Sequence, residues 1–394
     1  MRREPQGGRL KICDLTQFYS PVSGGVKRYV QEKVNFLREH RPDCEHVLII
    51  PGERTERIVE PQRRIYTIKS PLISKTSRYR MLLNLGAIED VIEQERPSII
   101  ESGDPYQVAW KALATGEALR IPVVAFYHSH FPEAYLRSVQ KYLGETAGDA
   151  LMEAAERYVR HLYNQFAHTL VPSAGLQQLL VDWGVTNTAL AELGVNTAVF
   201  RPGERQSYFR EKHAIPASAK LLLYVGRLAP EKNVRCLFQA FELLTEKSSG
   251  TYHLLVVGDG TTRDSLQRLS ESTQAVTWLP YCDDSADLTK LYREADLFVH
   301  PGVLETFGLV TIESQACGTP VVGIRGSYMD RIVYSNQRHW AAENTPGSLA
   351  AAIENTCRED LLLIGAAASE KVRARYDWEI VFRKLLAIYQ SCIA

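Results

Sequence analysis

The chain carries no excess charge of either sign: 46 Lys and Arg stand against 46 Asp and Glu. A balanced protein exerts no general pull on a polyanion, so nucleic acid is not an expected partner. No run approaches the roughly 20 apolar residues that a membrane-spanning helix needs. The N-terminal stretch MRREPQGGRLKICDL has no apolar core of the kind a secretory signal requires. The seven cysteines form no CxxC pair and no close cluster with histidine. That scatter argues against a zinc site and a disulfide framework, and for reduced thiols. Repeats and low-complexity tracts are missing too. These absences point to a cytoplasmic protein whose membrane contact, if any, is peripheral on the inner face.

What remains is an ordinary globular composition, 45% apolar and 23% charged, over a length that suits two domains. Short apolar runs alternate with helical patterns. Strands are expected at Leu10–Cys13, His46–Ile50, Ile65–Lys69, Ser98–Ser102, Val123–His128 and Thr169–Ser173. A second set follows at Leu221–Gly226, Leu254–Gly258, Val276–Leu279, Leu297–Pro301 and Val321–Ile324. Several are rich in Val, Ile and Leu on both faces, as buried parallel strands are. Between the first two, Val26, Tyr29, Val30, Val34 and Leu37 form one helical stripe. The βαβ alternation predicts an α/β protein of two Rossmann-like, doubly wound parallel sheets facing a central cleft. The polar stretch from Arg201, with Pro202, Gly203 and Pro216, separates the two sets. The expected domains are 1–199 and 200–376, with a helix at 377–394 packing back on the first.

The second set opens with a strand, then Gly226-Arg227-Leu228-Ala229-Pro230-Glu231-Lys232-Asn233, then a helix. Gly226 lets the backbone turn close to a ligand. Arg227 and Lys232 put a guanidinium fork and an ammonium beside a helix N-terminus, which suits a diphosphate. A pair of solvated surface cations is the plainer reading. Further on, Glu305-Thr306-Phe307-Gly308-Leu309 leads a strand into a helix that Gly318 and Pro320 end. Thr306 is the expected N-cap, with the N–H groups of Phe307, Gly308 and Leu309 facing a ligand. Glu305 and Glu313 lie at most ~12 Å apart at ~1.5 Å per helical residue. That is too far for the ~5 Å carboxylate pair of a retaining glycosidase. It suits two hydroxyl-binding carboxylates either side of a pyrophosphate, or one cap and one solvated Glu.

Together these motifs resemble the retaining glycosyltransferase family 4, of the GT-B fold. The shared marks are the Gly226–Lys232 loop, Glu305 and Glu313 eight residues apart, Phe307-Gly308-Leu309, and Ala316-Cys317-Gly318-Thr319-Pro320. The likeness runs from about Leu10 to Asp330. It implies a hexosyltransferase in which Arg227 and Lys232 hold the donor diphosphate, Glu313 the ribose, and Glu305 the transferred sugar. It also implies that Gly24 and Gly25, after the first strand, close over the donor phosphate, and that His128 lies near the sugar. Gly258, after the next strand, joins the donor set. Asp104 and His130 are acceptor candidates, and Asp104 reads equally as a turn residue or a base. Asn196 and Asp330 depart from the family pattern, where Asp and Glu are common.

The implied chemistry is front-face substitution with retention. The leaving diphosphate takes the acceptor's proton, and cations and backbone dipoles stabilise it. With no Asp-x-Asp motif, neither metal nor cofactor is expected; the nucleotide sugar is a substrate. UDP-glucose and GDP-mannose are the favoured donors, with ADP-glucose open. A dehydrogenase would need a third glycine, and Gly258-Asp259-Gly260-Thr261-Thr262-Arg263 ends in Arg. The same fold would also serve a catalytically inactive nucleotide-sugar-binding subunit, an epimerase or a phosphorylase. The acceptor is a lipid, a glycan or a small molecule. Arg63, Arg64, Lys69, Lys75, Arg78 and Arg80, interleaved with Leu72, Ile73, Tyr79, Met81 and Leu82, suggest anionic-membrane contact over residues 63–82. A solvated rim beside a core helix is the plainer reading.

Overall fold

The computed structural model describes residues 9–19, 24–73, 78–128, 145–282, 284–303 and 305–393. Two compact units emerge. One comprises Met1–Glu192 with Trp378–Ala394, the other Leu193–Asp377. The first is built on eight strands: β1 (Lys11–Leu15), β2 (Glu45–Gly52), β3 (Glu56–Glu60), β4 (Arg63–Lys69), β5 (Ile99–Ser102), β6 (Val123–Phe126), β7 (Thr169–Val171) and β8 (Thr188–Leu190). Their order is β3-β4-β2-β1-β5-β6-β7-β8, parallel except for the antiparallel β3–β4 pair. Ile12, Val47, Leu48, Ile100 and Val124 are fully buried, so the central strands are apolar on both faces as the sequence predicts.

The second unit holds β9 (Lys220–Val225), β10 (Tyr252–Val257), β11 (Val276–Leu279), β12 (Leu297–Val299) and β13 (Val321–Val322). They run in the order β11-β10-β9-β12-β13, all parallel. Residues 193–199, which the sequence pattern groups with the first domain, lie in this unit. The Val195 N–H bonds the Tyr376 carbonyl at 2.7 Å, and the Thr197 hydroxyl bonds the Asp377 carboxylate. The polar stretch before β9 is not a bare linker. It contains the short helix Tyr208–Lys212, held because the Glu294 carboxylate accepts the backbone N–H groups of Phe209 (2.9 Å) and Arg210 (2.6 Å).

The helix Gly25–His40 carries the expected apolar stripe, but one position on that face is charged. Lys33 is 1% exposed. Its ammonium donates to Asp14 Oδ1 (2.8 Å), Glu101 Oε1 (3.1 Å) and the Tyr389 hydroxyl (3.1 Å). The Tyr29 and Tyr389 hydroxyls both bond Glu101 Oε2, and His46 Nε2 meets Asp14 Oδ2 at 2.8 Å. Burial pushes Asp14 up; the charges of Lys33 and His46 outweigh it and hold the carboxyl below the usual range. Burial and the Asp14 charge raise Glu101 instead, against Lys33. Tyr389 belongs to the helix Trp378–Ile393, so this network ties that helix to β1, β2 and β5.

Candidate functional site

In both sheets the sequence-predicted residues follow the carboxyl ends of neighbouring strands, where ligands of open α/β sheets bind. In the second unit, Gly226 follows β9 and Gly258 follows β10. A Cβ on Gly258 would stand 2.0 Å from the Gly226 carbonyl oxygen, and φ there is +141°. The fold itself therefore demands this glycine, and its carbonyl accepts the Trp278 indole N–H at 2.8 Å. A short 3-10 helix, Pro230–Lys232, comes next. Asn233, at φ +57°, turns the chain into the helix Val234–Lys247. Its side-chain amide donates to the Pro301 carbonyl at 2.8 Å, stitching the loop after β9 to the loop after β12.

That stitch brings Lys232 and Glu305 together: Nζ stands 2.6 Å from Oε2. The same Oε2 is 3.7 Å from His300 Nε2. Exposure falls from 26% for the Lys232 side chain to 17% for Glu305 and 6% for His300. Burial opposes ionisation of Glu305. The Lys232 charge and the His300 ring overcome it and hold the carboxyl well below the usual range. Arg227 lies outside this cluster, 64% exposed and paired with Glu231 at 2.9 Å.

The helix after β12 is Leu309–Ala316, and its N-cap is Gly308, not Thr306. Gly308 stands at φ +81°, and a Cβ there would strike Met329 Sδ at 2.4 Å, so glycine is required by both conformation and space. Thr311 closes the first turn onto the Gly308 carbonyl with its hydroxyl (2.7 Å) and its N–H (3.0 Å). The first N–H groups of this helix have no intrahelical acceptor and carry the positive dipole end. Phe307 is 1% exposed with its ring edge on Tyr376, so only its backbone can serve a ligand. Leu309 is partly exposed. Glu313, far from being solvated, is 2% exposed and accepts the Tyr292 hydroxyl at 3.0 Å.

In the first unit, Gly24 caps the helix Gly25–His40 at φ −82°, and an added Cβ would meet nothing within 4 Å. Among the described residues, nothing there requires glycine. Asp104 follows β5 and His128 follows β6. Between them, a Cβ on Gly103 would lie 3.3 Å from both the His128 ring and Thr16. Asp104 is 1% exposed; Oδ2 accepts the Gln17 N–H at 2.8 Å, and Oδ1 is buried without a hydrogen bond among the described residues. Burial raises its pKa to about 7. His128 stacks on Phe126 (centroids 4.1 Å apart), with Tyr29 edge-on at 5.3 Å. Burial and the Lys33 charge lower it to about 3, so the ring is neutral. His130 lies outside the described residues.

The basic segment is less free than its sequence suggests. Arg63 is 6% exposed. Arg64 pairs with Glu45 and Glu95 at 2.8 and 2.9 Å, and Arg80 with Glu53 at 2.7 Å. Lys69 and Arg78 are exposed, as are Leu72, Ile73, Met81 and Leu83, whereas Leu82 is buried; Lys75 lies outside the described residues. Among the described residues no helix is long and apolar enough to cross a membrane.

His300 belongs to none of the sequence motifs, although it stands one strand-length after Asp296 in the segment that carries Glu305. Its one legible signal is an imidazole at the carboxyl end of a buried strand.

Comparison with known proteins follows the same division. Residues 23–199 match Glycosyltransferase Family 4, and residues 206–364 match Glycosyl transferases group 1. A GDP-mannose-dependent alpha-(1-6)-phosphatidylinositol dimannoside mannosyltransferase of Mycobacterium tuberculosis is 28% identical over 348 residues, 87% of each chain. A GDP-mannose-dependent alpha-mannosyltransferase of Corynebacterium glutamicum is 26% identical over 98% of this chain and 90% of its own. Among solved structures, sucrose-phosphate synthase from Thermosynechococcus elongatus aligns with a TM-score of 0.75 at 20% identity, covering 97% of this chain and 99% of that one.

Proposed function

The chain belongs to the glycosyl transferases group 1, with a family 4 first domain and the GT-B fold, and from that premise we propose that it transfers mannose from GDP-mannose to a lipid-linked acceptor with retention. That it is a glycosyltransferase using a nucleotide sugar follows from its relatives. The choice of mannose rests on the GDP-mannose dependence of the two mannosyltransferases above, and the lipid-linked acceptor on the first of them.

One observation carries the site: Lys232 and Glu305 in contact at 2.6 Å, beside the N-terminus of the helix starting at Leu309. An ammonium, the nearby exposed Arg227 and a helix dipole suit a departing diphosphate. In front-face substitution the acceptor oxygen forms the new bond to the anomeric carbon. The bond from that carbon to the phosphate oxygen breaks, and its electron pair leaves with the diphosphate. The acceptor's proton passes to a phosphate oxygen. Glu305 then serves the sugar hydroxyls. The positive groups substitute for a metal, so EDTA should leave the rate unchanged; a rate lost to EDTA and restored by Mg²⁺ or Mn²⁺ would refute this part.

The test is thermal stabilisation by GDP, UDP and ADP, then transfer from GDP-mannose to lipid acceptors with the product's anomeric configuration read by NMR. GDP-selective stabilisation that Lys232→Met weakens, and an α-linked product, are expected. Stabilisation by UDP alone would replace the donor, and a β-linked product would end the retaining mechanism. Exposed Leu72, Ile73, Met81 and Leu83, with Lys69 and Arg78, are proposed to meet the membrane. Absence of salt-sensitive binding to anionic vesicles would remove that contact.

A further inference from the structure

The ammonium of Lys232 has two claimants. With no donor bound it neutralises Glu305 at 2.6 Å. A diphosphate, with more charge and more acceptor oxygens, competes for the same group. Glu305 is only 17% exposed, so a carboxylate stripped of its counter-ion there is costly to leave unpaired. Among the described residues, one other group that can become a cation stands next to it. His300 Nε2 lies 3.7 Å from the carboxylate oxygen that Lys232 occupies, and the ring is 5% exposed. Its Nδ1 is buried, with no hydrogen-bond partner among the described residues. Gly302 makes room for the ring: a Cβ there would press on Cε1 at 2.9 Å.

We propose that His300 is the reserve counter-ion of Glu305, taking up a proton from solution when Lys232 turns to the donor diphosphate. The inference rests on the donor site proposed above and deepens it: donor binding is coupled to proton uptake at a positioning residue. Among the described residues, the charged group against the ring is Glu305, 3.7 Å from Nε2, which Lys232 pairs at 2.6 Å. On the loop after β9, Arg227 and Glu231 are paired to each other. Tyr224 of β9 is kept protonated by burial and the Glu305 charge. On the β13 side, a Cβ on Gly323 would meet the uncharged Trp340 ring and the His300 carbonyl.

The experiment is calorimetric titration of the whole chain with GDP at pH 7.5, in buffers of differing ionisation enthalpy. The dependence of the observed heat on that enthalpy counts protons exchanged. GDP brings its own proton changes, so the reading is the difference between proteins. Wild type should take up more than His300→Asn, by an amount approaching roughly one proton per GDP. Glu305→Gln, which removes the charge that needs a partner, should lose the same uptake. Binding with identical proton counts in wild type and both variants would overturn the inference and leave the donor site standing. No binding of GDP, UDP or ADP to wild type would overturn the donor site and this coupling with it. If His300→Asn does not fold, Glu305→Gln decides alone.

Discussion

The two units each pair a lysine with glutamate, and they do it in opposite ways. In the first, Lys33 is sealed among Asp14, Glu101, Tyr29 and Tyr389, every member below 4% exposure. In the second, Lys232 holds Glu305 with 26% and 17% of the side chains exposed, and a histidine waits beyond hydrogen-bond range. The sealed cluster has its donors and acceptors spent internally. The half-open one has a cation that a ligand can reach and a carboxylate that can change partners. On the proposed function, ion pairing of the same chemical type separates into a fold-holding use and a ligand-facing use, with exposure as the difference between them.

Lys33→Met should give the largest effect. It leaves two buried carboxyl groups without their cation and should cost about 3–5 kcal/mol in denaturant unfolding; a loss below about 1 kcal/mol would erase the distinction between the clusters. Next is Asp104, raised from 3.8 to about 7 by burial. A carboxyl whose folded pKa is raised contributes stability below about pH 4 and loses it as pH climbs through about 7. Asp104→Asn should thus stabilise the first unit at pH 8 and not at pH 4. The ceiling is about 4 kcal/mol, at about 1.4 kcal/mol per pKa unit. Equal melting shifts at both pH values would show that the carboxyl does not carry this cost.

Lys232→Met should reverse the Lys33 pattern, lowering kcat/KM for transfer about 10²–10³-fold while costing less stability than Lys33→Met. Steady-state kinetics beside a denaturation curve tests both halves. The glycines sharpen the contrast at smaller scale. Gly258→Ala drives a methyl into the Gly226 carbonyl and should cost about 1–3 kcal/mol of stability. Gly24→Ala, with open space around it, should change stability by less than about 0.5 kcal/mol and act on donor affinity instead. A destabilised Gly24→Ala protein would assign that glycine to the fold.

The sheets were legible because buried parallel strands are apolar on both faces. β3 was not, for the converse reason. Ile58 and Val59 are exposed at 44% and 65%, so this edge strand has no buried face to print a pattern and is held by backbone pairing to β4. The Gly226–Lys232 loop and Glu305 were readable as motifs, but their contact was not: it depends on the Asn233 bond to Pro301 across 68 residues. Thr306 looked like a cap because hydroxyl side chains favour that position, yet the helix is capped two residues later by Gly308 in the left-handed conformation. Lys33 did leave a trace. It sits four residues after Tyr29 and four before Leu37, on the apolar stripe, where a charge is out of place unless something buried answers it.

The helix Trp378–Ile393 also sets an order of events. Synthesis delivers Lys33 and Glu101 early and Tyr389 only after residues 193–377 have been made. Until then the nascent first domain holds a lysine and two carboxyls with one hydroxyl missing and the face of helix Gly25–His40 that receives Phe382 uncovered. The domain that begins first is completed last, and its unfinished surface is what a chaperone at the ribosome would meet.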